Sequence, residues 1–389
     1  MTMSPFALYI HVPFCAQKCP YCDFNTYAVE RVPDADYTEA LLAELDMWGR
    51  DPRLVGRSVS TIFFGGGTPS LLSAASLSRI IEKARMLFGV VRGAEITLEA
   101  NPSTPSEAIY AGFLDATINR LSFGVQSFDS QRLALLGRDH SPEDAQRAVS
   151  QARSSGFQNV SLDLIFGVPG QSAKDLERDL AVASALPITH LSTYALTIEP
   201  GTPFYQRQER GLLKASKEEL VAEMLTIIPE RLRRHGFERY EISNYARDGL
   251  RSKHNEAYWL GSDYLGIGAG AHSYIAHYEG TRLKSAERWS TLAQPAAYMK
   301  GAREGKTVSW REPLATEALM FEFFYVGLRR MEGVSLSEFS ERFGPDAFGR
   351  YEERSIELER EGFVTRNGER LRLTESGIAV ADSVYERFL

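Results

Sequence analysis

The stretch that decides the fold is Tyr9–Phe24, which reads YIHVPFCAQKCPYCDF and contains all three cysteines of the 389-residue chain. Cys15, Cys19 and Cys22 have the spacing C-x3-C-x2-C, which so few cysteines would rarely produce by chance. A disulfide between two of them would leave the third thiol unpaired. A chain of this size with no other cysteine is typical of a protein kept in a reducing compartment. A structural zinc site would need a fourth ligand, and His11 is the candidate within this stretch. Three thiolates suit a [4Fe-4S] cluster better, because they hold three irons and leave the fourth open for a small molecule.

The bulk composition is that of a soluble globular protein, with 43% hydrophobic and 24% charged residues. A net charge of -7 argues against a general nucleic-acid surface. No apolar run approaches the roughly 20 residues that a membrane span requires. The start, MTMSPFALYIHV, lacks the basic segment of a signal peptide. We therefore expect a cytoplasmic protein, and the sequence leaves open peripheral contact with a membrane.

Apolar, β-branched runs alternate with helical patterns through the first part of the chain. Strands are expected at ALYIHV, VSTIFF, AEITLEA, LSFGV, VSLDLIFG and HLSTYAL. Helices between such runs indicate parallel βαβ units. Polar residues follow nearly every strand, whereas a doubly wound sheet would gather ligands at one switch point. Residues 1–235 are therefore predicted to form an α/β fold, an incomplete (β/α)6 TIM-like barrel.

The rest of the chain has a different character. Residues 236–305 are rich in Gly, Tyr, His and Asn and predict irregular backbone packing on the barrel, ending in a helix through ERWSTLAQPAAYMKGARE, residues 287–304. Residues 306–389 read as helix, helix and hairpin, with Asn367-Gly368 as the turn. This pattern predicts a smaller α+β, winged-helix-like domain. Because its balance is acidic, we expect it to cover the active site or a partner, not DNA.

Several polar or glycine-rich positions outside the cysteine loop are suited to ligand binding. In Gly65–Pro69 (GGGTP), between a strand and a helix, bare backbone can approach a ligand and offer amide donors, although a plain tight turn is the alternative. Carboxylates that end strands can hold a ribose diol or an ammonium group, and an arginine can hold a carboxylate. Such residues are Glu99, Gln126, Arg138 and Asp163, for each of which a capping or other structural role is the alternative.

The cysteine spacing, with aromatic Tyr21 before the last cysteine, resembles the signature of the radical S-adenosylmethionine (SAM) superfamily. The resemblance implies a partial barrel, a [4Fe-4S] cluster on the three cysteines, SAM on the open iron, and an electron donor if SAM is cleaved. It also implies that His11 lies near the cluster, although a lone strand histidine is more often simply hydrogen-bonded in the core. The residues that it implies for SAM binding are Tyr9, Tyr21, Gly66, Gly67, Thr68, Glu99, Gln126, Arg138, Asp163 and Ala195.

The resemblance narrows to the coproporphyrinogen III dehydrogenase (HemN) group and covers nearly the whole chain, including its carboxyl-terminal domain. It is carried by YIHVPFCxxxCxYCDF, FGGGTPS, GVQSF, DLIFGVPGQ and HNEAYW. Two features depart from that group. Phe24 stands where the group has a fourth cysteine, and only fourteen residues precede Cys15. These departures argue against porphyrinogen decarboxylation and resemble the HemW branch, regarded as haem chaperones, whose mark is H-N-x-x-Y-W.

That mark is present at residues 254–259, and the resemblance implies haem binding by His254, Asn255, Tyr258 and Trp259. A histidine nitrogen can be an axial iron ligand, and aromatic rings offer flat faces to a porphyrin. His272 in GAHSY is a lesser candidate, because glycine-rich neighbours are typical of a backbone turn.

We therefore expect a haem chaperone that delivers haem, its cargo, to apo-haemoproteins such as respiratory enzymes. The alternative is a catalytic radical SAM enzyme on a porphyrinogen, either an oxidative decarboxylase or a methyltransferase. The sequence leaves open whether the protein forms a homodimer.

Overall fold

The structure, a computed structural model, describes residues 4–103 and 106–389. Its strands are β1 (Phe6–Val12), β2 (Phe14–Cys15), β3 (Tyr27–Ala28), β4 (Val59–Gly66), β5 (Val90–Ala100), β6 (Arg120–Gln126), β7 (Asn159–Phe166), β8 (His190–Ala195), β9 (Glu238–Arg239), β10 (Asn244–Ala246), β11 (Tyr264–Ile267), β12 (His272–Glu279), β13 (Arg282–Thr291), β14 (Val308–Leu314), β15 (Val334–Ser335), β16 (Val364–Asn367) and β17 (Arg370–Leu373).

Helices connect or cover most of these strands. They are α1 (Asp34–Trp48), α2 (Ala74–Phe88), α3 (Glu107–Asp115), α4 (Ser130–Leu135), α5 (Pro142–Ser155), α6 (Ala173–Ala185), α7 (Pro203–Glu209), α8 (Glu218–Arg234), α9 (Lys253–Trp259), α10 (Pro295–Arg303), α11 (Thr316–Gly327), α12 (Leu336–Phe343), α13 (Gly349–Arg360), α14 (Glu375–Ala379) and α15 (Ala381–Glu386). In the described part of the chain, no helix is long and apolar enough to cross a membrane.

The predicted strands form the parallel core of a 12-stranded sheet, whose order is β14-β13-β12-β11-β1-β4-β5-β6-β7-β8-β10-β9. The end strands β14 and β9 each have only one neighbour, so the sheet does not close. This confirms the predicted α/β fold with an incomplete barrel. Side chains alternate along each strand. On β1, Leu8 and Ile10 belong to the apolar core, whereas Tyr9 and His11 lie on the opposite, concave face.

Local signals explain where the outer helices begin. Ser141 and Ser172 start α5 and α6 with capping boxes, in which each serine oxygen accepts the backbone N–H three residues later. The carboxylates of Asp144 and Asp175 accept the serine N–H in return. These reciprocal bonds satisfy amide groups that have no partner within the helix.

The segment expected to be irregular contains a seventh parallel strand. β11 pairs with β1 from Ala7↔Tyr264 to Ile10↔Ile267, so this segment is part of the barrel sheet. The predicted helix through residues 287–304 was wrong in its first third, because β13 runs to Thr291 between β12 and β14. Helix α10 begins only at Pro295, after Gln294 has capped it. Pairing on both sides of β13 outweighs the local helical pattern.

The carboxyl-terminal part has its own sheet, in the order β15-β17-β16, and its own core around the fully buried ring of Phe324. Helices α11, α12 and α13 precede the β16–β17 hairpin, which confirms the predicted winged-helix-like arrangement. Polar contacts join this part to the barrel, including Arg251 with Glu332 at 2.9 Å and the Ile242 N–H with the Arg329 carbonyl at 3.0 Å. The boundaries at 235 and 305 stay predictions.

Trp289 provides a test of the corrected region. Its ring is fully buried, 5.0 Å from the Trp48 ring, with the Arg53 guanidinium 5.0 Å above it. We expect Trp289→Ala to lower the free energy of unfolding by about 3–5 kcal/mol, measured by urea denaturation, because it leaves a large cavity. Trp310→Ala on the neighbouring strand, where the ring is 43% exposed, should change it by no more than about 1 kcal/mol. Equal losses would contradict this strand assignment.

Candidate functional site

A cavity of 460 Å³ lies at the carboxyl ends of the parallel strands. All residues predicted to hold the cluster or SAM line it except Tyr9: they are Cys15, Cys19, Cys22, Tyr21, Gly66, Gly67, Thr68, Glu99, Gln126, Arg138, Asp163 and Ala195. The Tyr9 hydroxyl instead hydrogen-bonds His11 Nδ1 at 3.0 Å, and His11 Nε2 contacts the Asn25 carbonyl at 2.9 Å. The cavity therefore brings together groups from both predicted loops and from several strand ends.

The glycine loop is held directly against the cysteine loop. The Gly67 and Thr68 N–H groups donate to the carbonyls of Val12 and Phe14, both at 2.8 Å. Gly66 has φ +114°, and a Cβ there would lie 2.5 Å from the His11 ring. A Cβ at Gly67 would lie 2.6 Å from the Phe14 carbonyl oxygen. Only glycine fits at both positions, so the sequence GG is required for this close approach.

The three thiols are free and share one wall of the cavity. Burial raises the pKa of the Cys15 thiol, and the nearby Cys22 and Cys19 sulfurs raise it further. Arg138 Nη1 lies 3.5 Å from Cys19 Sγ, so a cation is available beside a thiolate. Among residues 4–103 and 106–389, no three His, Cys, Asp or Glu side chains are grouped as one metal ion requires. Sulfurs that each bind a different iron need no common centre, and the three thiols on one wall of the cavity fit a cluster held by these cysteines.

Two half-buried carboxyl groups face the cavity. Glu99 Oε2 accepts the Gly66 N–H at 3.1 Å. Burial raises the Glu99 pKa to about 8, and the neighbouring Asp163 adds to the shift. Burial also raises the pKa of Asp163. Such a pair suits a ligand with hydroxyl groups or positive charge, which would stabilise the ionised forms.

Gln126 and Arg138 have restrained positions on the cavity wall. Gln126 has φ +69°, one of few non-glycine residues of the described chain in the left-handed region. Strained backbone of this kind persists where the surroundings enforce it, often at ligand sites. Arg138 Nη2 donates to the Gly124 carbonyl at 2.7 Å and to Asn101 Oδ1 at 3.3 Å. Its guanidinium is thereby fixed in one orientation before any ligand binds.

Sequence reasoning missed other lining residues. The cavity also contacts Asn101, Arg120, Ser122, Ser192, Tyr194 and Glu199. Asn101 could have been found, since it follows Glu99 at the same strand end. Arg120 could not, because it begins a strand and its burial depends on neighbours distant in sequence.

His254 of the H-N-x-x-Y-W motif is almost completely buried, with 1% of its surface exposed. Its Nδ1 hydrogen-bonds Thr61 Oγ1 at 2.8 Å, and its Nε2 hydrogen-bonds Tyr258 Oη at 3.0 Å. Its backbone N–H donates to Glu95 Oε1 at 3.2 Å. Burial lowers the His254 pKa to about 3, and the Arg120 charge adds to the effect. The imidazole is therefore neutral, and both of its nitrogens are engaged in this conformation.

Helix α9, which carries the motif, separates two cavities. Asn255 lines the first cavity, whereas Tyr258 and Trp259 line a second cavity of 240 Å³. The second cavity lies between α9, strands β11–β13 and helices α11 and α12; its other lining residues include Tyr264, Tyr274, Arg288, Glu322, Phe323 and Arg342. The four motif residues thus lie in different environments, and their role in haem binding stays a prediction.

Comparison with known proteins shows which family the chain belongs to. Residues 9–183 match the family model of the radical SAM superfamily, and residues 314–380 match that of the HemN C-terminal domain. The heme chaperone HemW of Bacillus subtilis is 36% identical over 98% of this chain and 98% of that protein. The heme chaperone HemW of Escherichia coli is 37% identical over 100% of this chain and 99% of that protein. The mitochondrial radical S-adenosyl methionine domain-containing protein 1 of Bos taurus is 37% identical, over 97% and 86% respectively.

Among solved structures, coproporphyrinogen III oxidase (HemN) from Escherichia coli, a radical SAM enzyme, matches with a TM-score of 0.81. The two sequences are 22% identical, and the match covers 99% of this chain and 90% of the HemN chain, which shows a shared fold. Fold, cysteine loop and matching family model define this protein as a radical SAM protein, a class whose members hold a [4Fe-4S] cluster and SAM. Within that superfamily, the full-length relatives show that the chain belongs to the HemW family.

The contact between the two loops can be tested at Gly66. Gly66→Ala should lower both the melting temperature of the apo-protein and the iron content after anaerobic reconstitution, because the new Cβ meets the His11 ring. Gly56→Ala is the matched control, since Gly56 also has positive φ but nothing lies within 4 Å of its Cβ position. We expect the Gly66 variant to lose about 1–3 kcal/mol more than the control. Equal losses, with equal iron content, would show that the steric contact is unimportant.

The raised pKa of Glu99 predicts a pH dependence. Between the ordinary value of 4.5 and about 8, the folded apo-protein binds more protons at this site than the unfolded chain. The stabilisation is complete below pH 4.5 and is lost as pH rises towards 8. Glu99→Gln should therefore gain stability relative to wild type towards pH 8, on the order of a few kcal/mol, measured by urea denaturation at several pH values. Glu143→Gln, on exposed helix surface, is the control and should show the wild-type dependence of unfolding free energy on pH. The same dependence in Glu99→Gln would contradict the raised pKa of Glu99.

Proposed function

We propose that this protein is a haem chaperone, which binds haem and delivers it to apo-haemoproteins. One observation carries the proposal: the H-N-x-x-Y-W helix lies between the cofactor cavity and a second, aromatic cavity, in a chain that matches heme chaperones along its whole length. Such a helix can present aromatic side chains to a porphyrin while the barrel binds its own cofactors.

For the cofactors, we propose that Cys15, Cys19 and Cys22 hold the [4Fe-4S] cluster. When bound, such a cluster offers one open iron to SAM and can supply an electron from an external donor. The clustered thiols beside Arg138 and the glycines that fit only without a Cβ support this assignment. SAM is proposed to lie along the glycine loop, with its polar groups towards Glu99, Gln126, Arg138 and Asp163.

For haem, we propose that Tyr258 and Trp259 offer their ring faces from the wall of the second cavity. Asn255 lines the cofactor cavity and not the second cavity. Its predicted role in haem binding would therefore be indirect, through the position of helix α9. The prediction that His254 binds the iron stays open to test. It requires that the imidazole give up its bond to Tyr258 or to Thr61.

Respiratory haem enzymes are the proposed recipients. Delivery to such a recipient would require peripheral contact with the membrane surface. We propose that the protein is otherwise located in the cytoplasm. Three free thiols suit that reducing compartment. A homodimer is one arrangement in which haem could be held between copies, and sedimentation with and without haem would detect it.

The second candidate function is catalysis on a porphyrinogen, favoured by the carboxyl-lined cofactor cavity. Phe24 argues against the oxidative decarboxylase, because it replaces the fourth cysteine of that group. Its side chain is 63% exposed beside the cysteine loop, and a phenyl ring can neither ligate a metal nor exchange a proton there. A methyltransferase would require a methyl acceptor in the same cavity.

The two functions predict different products. Anaerobically reconstituted protein is expected to bind ferric haem with a saturable change in the Soret band and to transfer it to an apo-haemoprotein. Incubated with coproporphyrinogen III, SAM and reductant, it should form no protoporphyrinogen and no methylated porphyrin, as judged by chromatography and mass spectrometry. Formation of either product would favour the catalytic candidate, and failure to bind haem would reject the chaperone.

A further inference from the structure

The concave face of the sheet continues beyond the cofactor cavity onto strands β11–β14. Tyr9 on β1 is in register with Gly266 on β11, and Tyr264 on the same strand pairs with Tyr274 on β12. Partners in a ladder point to the same face, and so do residues two apart. His272 therefore shares the concave face with Tyr274.

Two rows of residues cross this face. The upper row is His272↔Ser290↔Trp310, and the lower row is Tyr274↔Arg288↔Glu312. Tyr274 and Arg288 of the lower row line the second cavity. The upper row thus lies two residues along the strands from the wall of the second cavity, on the same face of the sheet.

His272 is the accessible histidine on this surface. Its side chain is exposed, and within residues 4–103 and 106–389 no hydrogen bond engages its ring nitrogens. The Trp310 ring meets it edge-on at 6.1 Å and is itself 43% exposed. Burial of part of the ring lowers the His272 pKa, and the Arg288 charge lowers it further, so the imidazole is neutral at pH 7. His254 offers the opposite combination, a buried ring with both nitrogens engaged.

A series of aromatic contacts joins this surface to helix α9. The Tyr274 ring stacks with Tyr264 at 6.1 Å, and Tyr264 meets Tyr258 edge-on at 4.7 Å. Flat apolar faces, one free imidazole and the Arg288 guanidinium are what a metalloporphyrin with carboxylate substituents requires. The side chain of Arg288 is 30% exposed and is paired with Glu322 at 2.5 Å and with Glu312 at 3.8 Å, so a haem carboxylate would share this guanidinium with protein carboxylates.

We infer that His272 is the axial ligand of the haem iron, and that the porphyrin lies on the concave surface between Trp310 and the second cavity. This inference rests on the proposed haem-binding function and names its site. A ring nitrogen of His272 donates its lone pair to ferric iron and replaces a bound water. No electron or proton is transferred in that step. Helix α9 then forms a wall of the site through Tyr258 and Trp259, and His254 holds that wall in place.

The inference is tested with ferric haem titrated into the full-length, cluster-reconstituted protein under anaerobic conditions. Difference absorption and electron paramagnetic resonance spectra report a nitrogen ligand on the iron. We expect His272→Ala to lose that signature and to bind haem at least about tenfold more weakly. His277→Ala is the matched control: His277 is an exposed histidine of the same strand, an odd number of residues away and hence on the opposite face. It should match wild type.

Two further variants separate ligation from folding. Imidazole added to His272→Gly should restore the nitrogen-ligand spectrum, which a merely unfolded site would not do. His254→Gln preserves a hydrogen-bonding side chain beside Thr61 and Tyr258. Loss of the spectrum in His254→Gln with retention in His272→Ala would overturn the inference but leave the chaperone function standing. Absence of haem binding in wild type would overturn the proposed function itself.

Discussion

The hydrogen bonds around His254 fix the geometry on which the rest of the site depends. Thr61 on β4, Glu95 on β5 and Tyr258 one helical turn further along all bond to this residue. Each such bond contributes about 1 kcal/mol net, and an unpaired partner left in this buried region would cost more. Helix α9 is therefore anchored inside the concave face. Its position decides that Asn255 reaches the cofactor cavity and that Tyr258 and Trp259 reach the second one.

The polar barrel interior explains why such an anchor exists. Arg120 and Glu95 are both almost fully buried and lie 4.0 Å apart. A buried charge pair is costly unless further hydrogen bonds satisfy it, and α9 supplies one such bond through the His254 N–H. Closer to the strand ends, burial raises the pKa values of Glu99 and Asp163. Arg120 Nε has no hydrogen-bond partner among the described residues, so the protein satisfies this polar interior only in part, and the cavity that Arg120 lines is suited to a ligand.

Local sequence signals predicted the cysteine loop, the glycine loop and the alternating strands, because each depends on residues close together in the chain. The seventh strand, β11, could not be predicted in this way. Its four residues pair with β1 from more than half the chain away, and the helix that precedes them, α9, has only seven residues. The helix predicted over β13 failed for a related reason, since pairing with β12 and β14 determines its conformation.

The candidate site shows the same limit for the two histidines. The H-N-x-x-Y-W motif made His254 the main candidate from the sequence. Whether its imidazole is accessible to a ligand depends on packing around Thr61 and Glu95, which are distant in sequence and meet His254 only in the fold. His272 has glycine-rich neighbours that are typical of a turn, and the turn is present: Gly268 and Gly270 have positive φ. That turn ends at the residue where β12 begins. These glycines allow the chain to turn directly into β12, and strand register then places His272 on the concave face.

The placement of α9 also gives a physical route by which the two cavities can influence each other. When ionised, Glu99 in the cofactor cavity raises the pKa of Tyr9, after burial as the main cause, and that of Tyr258, after burial and Tyr264. A ligand that binds Glu99 and stabilises its ionised form therefore changes the electrostatic potential at the Tyr258 hydroxyl, which faces His254. Because His254 anchors the helix, this influence requires no movement of α9. Glu99 and the Tyr258 hydroxyl therefore interact electrostatically, and charge in the cofactor cavity acts on the helix that also lines the second cavity.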